Sequence, residues 1–178
     1  MNVQLIENFV DLDLETVRKA IDFVQRSVTV YGKVYPQPRL TRWYGSVPYA
    51  YSGLVWEPEP LTGLLEALRA QVSAHIGTPL NSVLCNLYRD GQDCVGWHAD
   101  DEPIFGRDPV VASLSFGATR AFKVRSKADT SSQESFELTH GSLLVMGTGI
   151  QPGYQHCVPK TKKVLTPRVN LTFRQTVG

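Results

Sequence analysis

The chain contains four histidines, and two of them have neighbours that could do chemistry. His98-Ala99-Asp100 sets an imidazole and a carboxylate two residues apart, the spacing at which strand side chains share a face. His156 lies in a later run of strand-forming residues that a closed sheet could bring back to the first pair. Two imidazoles and one carboxylate make the facial set that leaves coordination positions open on a non-haem Fe(II) ion. An HxD pair is weak evidence alone, because a surface histidine beside the acidic turn Asp100-Asp101-Glu102 gives the same pattern. His75 and His140 have no such company and read as structural.

A second constellation lies near the C-terminus. In Arg168-Val169-Asn170-Leu171-Thr172-Phe173-Arg174 apolar and polar residues alternate, so Val169, Leu171 and Phe173 face one layer and Arg168, Asn170, Thr172 and Arg174 the other. A solvent-facing strand would alternate in the same way. Two arginines bracketing an Asn and a Thr nonetheless suit a dicarboxylate, since a guanidinium fork pairs bidentately with a carboxylate. Asn86 and Tyr88 share a parity, with Leu87 opposite, and could add neutral donors.

Elements must position these residues. Leu14, Val17, Ile21 and Val24 recur at helical spacing, predicting a helix over 13–26 with Asp13 as its cap. Leu61, Leu64, Leu65, Leu68, Val72 and Ile76 predict another over 61–76, stopped by Gly77. Beyond it the period changes to short β-branched or aromatic runs at 83–88, 110–116, 121–125, 135–138, 142–146, 154–158 and 169–173. Such spacing reads as an antiparallel sandwich or barrel, with 126–134 as a hairpin tip. The expectation is one α+β domain, a jelly roll with two helices outside it.

Composition bounds the rest. A length of 178 residues fits one domain, and 42% apolar with 20% charged residues excludes a disordered chain. No apolar run reaches the roughly 18 residues of a membrane span. The start, MNVQLIENFVDLD, lacks the order of a signal peptide, so a soluble intracellular protein of cytoplasm or nucleus, a monomer without membrane contact, is expected. Cys85, Cys94 and Cys157 match no zinc spacing and read as thiols in a reducing compartment. Net charge is only +1, yet residues 31–45 carry Lys33, Arg39 and Arg42 without an acid. Residues 158–178 likewise carry Lys160, Lys162, Lys163, Arg168 and Arg174 without one. These segments could line a phosphate-binding face, although solvated surface charge is the commoner explanation.

Four motifs in order make the sequence recognisable: Leu84-Cys85-Asn86-Leu87-Tyr88-Arg89, Gly96-Trp97-His98-Ala99-Asp100-Asp101-Glu102, Ala112-Ser113-Leu114-Ser115-Phe116-Gly117-Ala118 and Pro167-Arg168-Val169-Asn170-Leu171-Thr172-Phe173-Arg174. Together they resemble the AlkB family of Fe(II)- and 2-oxoglutarate-dependent dioxygenases that demethylate alkylated nucleobases. Pro38-Arg39-Leu40-Thr41-Arg42-Trp43-Tyr44-Gly45 and Tyr49-Ala50-Tyr51-Ser52 look like the substrate-recognition region of its eukaryotic-type members. The resemblance runs collinearly over about 31–174 and implies a double-stranded β-helix, a jelly-roll variant. The expected division is a nucleotide-recognition region with the helices over 1–80 and a catalytic jelly roll over 81–178.

The resemblance implies roles residue by residue. His98, Asp100 and His156 would be the iron ligands. Arg168, assisted by Tyr88, would pair with the distal carboxylate of 2-oxoglutarate, while Asn86, Asn170 and Arg174 would hold the rest of the cosubstrate. Dioxygen is the co-oxidant, and the N-alkyl group of a 1-methyladenine or 3-methylcytosine type lesion would leave as formaldehyde. Tyr51 would stack the flipped base beside His98, with Tyr49 and Arg39 in the same region and Asp101 and Glu102 meeting a cationic base. Tyr31 stands where duplex-active relatives carry a Phe wedge, and the relatives' long basic N-terminal arm is missing. Both departures favour single-stranded DNA, with RNA left open. Competing readings are a 2-oxoglutarate oxygenase acting on protein or a small molecule, a non-catalytic nucleic-acid-binding jelly roll, and a zinc hydrolase.

Overall fold

A computed structural model describes residues 1–30, 32–51, 54–61 and 63–177. In chain order its elements are β1 (Val3–Ile6), α1 (Leu14–Lys19), β2 (Val24–Val30), β3 (Lys33–Tyr44), β4 (Tyr49–Tyr51), β5 (Leu54–Trp56), α2 (Gly63–Ile76), β6 (Ser82–Tyr88), β7 (Val95–His98), β8 (Val111–Gly117), β9 (Arg120–Ser126), β10 (Gln133–Leu138), β11 (Leu143–Met146), α3 (Ile150–Gly153), β12 (Tyr154–Val158) and β13 (Arg168–Arg174). A single 3-10 turn, Pro103–Phe105, follows β7. No helix among the described residues is long and apolar enough to cross a membrane.

The strands form a seven-stranded sheet, β1-β11-β8-β13-β6-β3-β2, a four-stranded sheet, β10-β9-β12-β7, and the β4–β5 hairpin. Two facing antiparallel sheets are the jelly roll that the strand spacing predicts. All seven runs expected beyond Gly77 are strands, and the serine-rich segment after Ser126 does join β9 to β10. An eighth strand, β7, was not among the expected runs. Its four residues include Gly96, and it exists because β12 supplies a partner, with His156 opposite His98.

The N-terminal half departs further from expectation. Asp13 does cap α1, accepting the Thr16 amide at 2.9 Å, but the helix ends at Lys19 instead of running to residue 26. Val24 already belongs to β2, whose β-branched residues pair with β3. Strand pairing outweighs the local helical period. Residues 1–80 therefore carry five strands beside the two helices, and β1, β2 and β3 extend the large sheet.

Alternation along the large sheet separates two cores. Val17 of α1 and Leu65, Leu68 and Val72 of α2 pack with Leu114, Phe116, Leu171 and Phe173 on one face. On the other face Tyr88, Val111, Leu144 and Met146 meet Phe122, Val124, Leu138 and Val158 of the small sheet. Every residue of β13 is buried. With Val169, Leu171 and Phe173 in the helix-side core, the arginines, Asn170 and Thr172 face the space between the sheets.

The end of β8 opposite Arg168 depends on a glycine. Gly117 has φ +89°, and a Cβ there would sit 2.5 Å from the Pro167 carbonyl oxygen. Gly117→Ala should destabilise the protein by about 2 kcal/mol or more, from the left-handed backbone and the clash together. Urea unfolding measures this, and an unchanged midpoint would contradict the geometry.

Candidate active site

Antiparallel pairing of β7 with β12 sets His98 and His156 directly opposite, and Asp100 follows two residues after β7 ends. One ligand atom from each of His98, Asp100 and His156 lies within 4.8 Å of the others. His98 Nε2 is 3.7 Å from Asp100 Oδ1, and His156 Nε2 is 3.9 Å from Oδ2. The Nδ1 of His98 lies 2.8 Å from the Gly96 carbonyl. A proton on Nδ1 satisfies that oxygen and leaves the Nε2 lone pair turned towards the carboxylate. Phe122 stacks on His156 at 5.2 Å and fixes its ring.

Asp100 is 2% exposed and tied twice. Arg174 donates to its Oδ2 from Nη2 at 2.8 Å and from Nε at 3.1 Å, while the Asp100 amide donates to Gln151 Oε1 at 2.9 Å. Burial alone would raise the carboxyl pKa. The Arg174 charge and its hydrogen bonds oppose that and hold the group well below the usual carboxylate range. Burial lowers both imidazoles, His156 to about 3, so both are neutral and free to act as ligands.

The other end of β13 has the opposite balance. Arg168 is 1% exposed, donates to Ser115 Oγ at 2.9 Å, and lies 5.2 Å from the Tyr88 ring centroid. Its Nε and Nη1 are buried with no hydrogen-bond partner, and no acid among the described residues pairs with it. A pocket runs from Arg168 and Tyr88 past Asn86 and Asn170 to His98, Asp100 and His156. Asn86 accepts from Arg39 Nε at 2.7 Å, and Asn170 donates to Ser113 and accepts from Thr172. The donor set and the orphaned N–H groups fit a divalent metal and a carboxylate-bearing ligand side by side.

A second, adjoining pocket is lined by Tyr49, Trp56, Arg39, His98 and Arg174 among others. Tyr49 stacks on Trp56 at 5.3 Å, packs on Trp43 and Phe105, and donates its hydroxyl to Glu102 at 3.0 Å. Glu102 Oε2 is buried without a partner, and burial raises that carboxyl. Asp101 is exposed and bridged to Lys127 at 3.2 Å. Tyr51 lies in β4 beside this wall, but its side chain and all of Tyr31 fall outside the described residues.

The basic segments divide. Arg39 is buried against the pocket, whereas Arg42 pairs with Glu59 and, at 3.8 Å, with Asp22. That pairing turns Arg42 from the free phosphate contact expected of it into a structural ion pair. Lys33, Lys160, Lys162 and Lys163 are exposed. Sequence reasoning missed Gln151, Trp56 and Phe122, because each reaches the site from an element without a local motif.

A family model of the 2OG-Fe(II) oxygenase superfamily matches residues 7–174. The chain is 44% identical over 186 aligned positions to the mouse alpha-ketoglutarate-dependent dioxygenase alkB homolog 3, covering 97% of this chain and 65% of the relative. It is 41% identical over 157 positions to the human DNA oxidative demethylase ALKBH2, covering 83% of this chain and 60% of the relative. This sequence thus spans somewhat less than two-thirds of the curated relatives it matches. The solved structure of OsALKBH1 superposes with a TM-score of 0.69 at 20% identity, covering 98% of both chains.

The buried histidine has a measurable consequence for the metal-free protein. An unfolded chain protonates His156 near its ordinary value of 6.5, while the native chain refuses the proton until about 3. Stability from this residue is full above the unfolded pKa and is lost as pH falls below it. Between about pH 7.5 and about pH 5.5 the loss should reach about 1.4 kcal/mol. Urea unfolding across that interval reads it, and His156→Gln should flatten the slope. A slope that survives the substitution unchanged would contradict a buried neutral imidazole.

Proposed function

The chain belongs to the 2OG-Fe(II) oxygenase superfamily, and from that premise we propose that it oxidatively removes N-alkyl groups from nucleobases. The observation that carries this reading is Arg168, a buried cation with two unpaired N–H groups at the far end of a pocket that begins at the His98, Asp100 and His156 cluster. A dicarboxylate spans that pocket with one end at the cluster and the other on the arginine. The name of the 41% identical relative, DNA oxidative demethylase ALKBH2, supports nucleic acid as the substrate class, and that of alkB homolog 3 supports 2-oxoglutarate as the cosubstrate.

In this reading His98, Asp100 and His156 hold Fe(II), and Arg168 with Tyr88 receives the distal carboxylate of 2-oxoglutarate. Asn86 and Asn170 line the cosubstrate between them. Arg174 is engaged by Asp100, which leaves Arg168 as the distal-carboxylate partner. Bound iron, 2-oxoglutarate and dioxygen supply the oxidising chemistry, with succinate, carbon dioxide and formaldehyde as products beside the repaired base. The protein orients the reactants and excludes water. Tyr49, stacked on Trp56, forms an apolar wall for a base taken out of its stack. Glu102, held by the Tyr49 hydroxyl behind this wall, is the carboxyl nearest a cationic methylated adenine or cytosine in this reading. Arg39, Tyr51 and Asp101 belong to the same substrate region.

Methylated oligonucleotides incubated with Fe(II) and 2-oxoglutarate, followed by mass spectrometry, test the activity. Loss of the methyl group with formaldehyde release is expected. Asp100→Asn should lose most activity, because a neutral amide of similar size is a poor ligand, and near-normal demethylation would sink the metal assignment. Arg168→Ala should raise the 2-oxoglutarate requirement by tens- to several-hundred-fold, about 2–4 kcal/mol, while metal binding persists.

Single-stranded DNA is the favoured substrate, with RNA second. The sequence at Tyr31 supports this, because a hydroxyl is costly in the dry gap left by a flipped base. Single-stranded lesions should be repaired faster than the same lesions in duplex, and Tyr31→Phe should raise duplex activity relative to single-strand activity. Equal rates on both substrates, or no response to Tyr31→Phe, would rule out a wedge role for Tyr31.

A further inference from the structure

Behind Tyr88 lies a second buried guanidinium that none of these roles uses. Arg120, the first residue of β9, is 2% exposed. It donates from Nη1 to the Asp90 carbonyl at 3.0 Å, and from Nη2 to the Asp93 and Pro159 carbonyls, each at 2.8 Å. These three oxygens are neutral backbone acceptors. They accept its hydrogen bonds without carrying a counter-charge, so the opposing field comes only from the Asp90 and Asp93 carboxylates beyond direct contact. The nearby carboxylates are occupied elsewhere, since Asp93 accepts both arms of Arg89 and Asp90 Oδ1 accepts the Gln92 amide. No acid among the described residues pairs with Arg120.

Its guanidinium carbon lies 5.5 Å from the centroid of the Tyr88 ring, the same ring that Arg168 covers at 5.2 Å. Two buried cations share one aromatic ring, and neither has an ion-pair partner among the described residues. The Arg120 charge weakens the hold of Arg168 on its proton, and burial lowers both, Arg168 to about 10. Placing two like charges so close without water is costly unless an anion joins them. Tyr88 supplies the geometric link, because its ring is held between the brace that Arg120 makes and the face that Arg168 presents to the pocket.

We infer that Arg120 is a positioning residue for the distal carboxylate of the cosubstrate, acting through Tyr88 and adding a second positive charge that selects a dicarboxylate over a monocarboxylate. The inference rests on 2-oxoglutarate being the cosubstrate. It also assigns a job to the loops around Asp90, Asp93 and Pro159. Their carbonyls hold the charge in place without neutralising it.

Isothermal titration of Mn(II)-loaded protein with 2-oxoglutarate and with pyruvate, which lacks the distal carboxylate, reads the effect without turnover. Arg120→Gln keeps donors for two carbonyls and removes the charge. It should weaken 2-oxoglutarate about tenfold and pyruvate less than about twofold, as expected for a charge acting over roughly 10 Å at an effective dielectric constant near 20. Arg120→Lys, which restores the charge, should return the ratio of the two affinities to within about threefold of wild type. Equal weakening of both keto acids, or unchanged 2-oxoglutarate affinity, would overturn the role and leave Arg120 a structural brace. Should the Gln variant unfold, the Lys variant carries the test: a ratio collapsed towards that of a monocarboxylate site overturns the inference. Wild-type protein that binds 2-oxoglutarate no better than pyruvate would instead overturn the cosubstrate reading beneath it.

Discussion

Arg174 and Asp100 join the two sheets through a pair of buried charges. The arginine ends β13 in the large sheet, and the carboxylate lies just past β7 in the small one, with Nη2 at 2.8 Å and Nε at 3.1 Å from the same oxygen. Removing both ions from water is expensive, and only short, bidentate contact offsets that cost. Losing either partner would strand the other, a penalty of about 3–5 kcal/mol. The pair also decides the orientation of the site. With Oδ2 held by Arg174 and the backbone amide held by Gln151, the carboxylate has one remaining direction, towards the two imidazoles.

The same strand gives its two arginines opposite fates. Six residues of extended chain separate them by about 20 Å, enough to span the pocket from the carboxylate cluster to its far wall. At one end the charge is neutralised within the protein. At the other Arg168 keeps Nε and Nη1 buried and unmet among the described residues, and Arg120 lies against the same Tyr88 ring. Between them Asn170, Thr172 and Ser113 satisfy one another, which lets a fully buried strand carry polar residues on one face.

The N-terminal strands supply the other side of the site. β3 pairs with β6 and brings Arg39 to Asn86, while the β4–β5 hairpin stacks Tyr49 on Trp56 over the histidines' end of the pocket. Trp43 and Phe105 back this wall, and Phe105 also lies 4.8 Å from the Arg174 guanidinium. The aromatic cluster therefore packs on the ion pair that orients Asp100. The aromatic wall and the His98, Asp100 and His156 cluster share one set of contacts.

Local pattern determined what depends on local spacing. The two-residue interval of His98 and Asp100, the alternation of Arg168 to Arg174, the parity of Asn86 with Tyr88, and the seven strand runs after Gly77 are all readable because side-chain direction repeats every second residue of a strand. The cap at Asp13 and the turn at Gly77 are equally local. Tertiary structure decided everything that needed a partner from far along the chain. Residues 24–26 left a helical period because β3 was there to pair with β2, and β7 became a strand because β12 lay beside it. Arg42 was taken up by Glu59, and Arg174 by Asp100, although as sequence both arginines look as free as Arg168. Gln151 and Arg120 carry no motif at all, since what they do is set by backbone groups brought to them from distant segments. Residue type and spacing name the groups that could react, and only long-range register says which charges are already spent and which remain for a ligand.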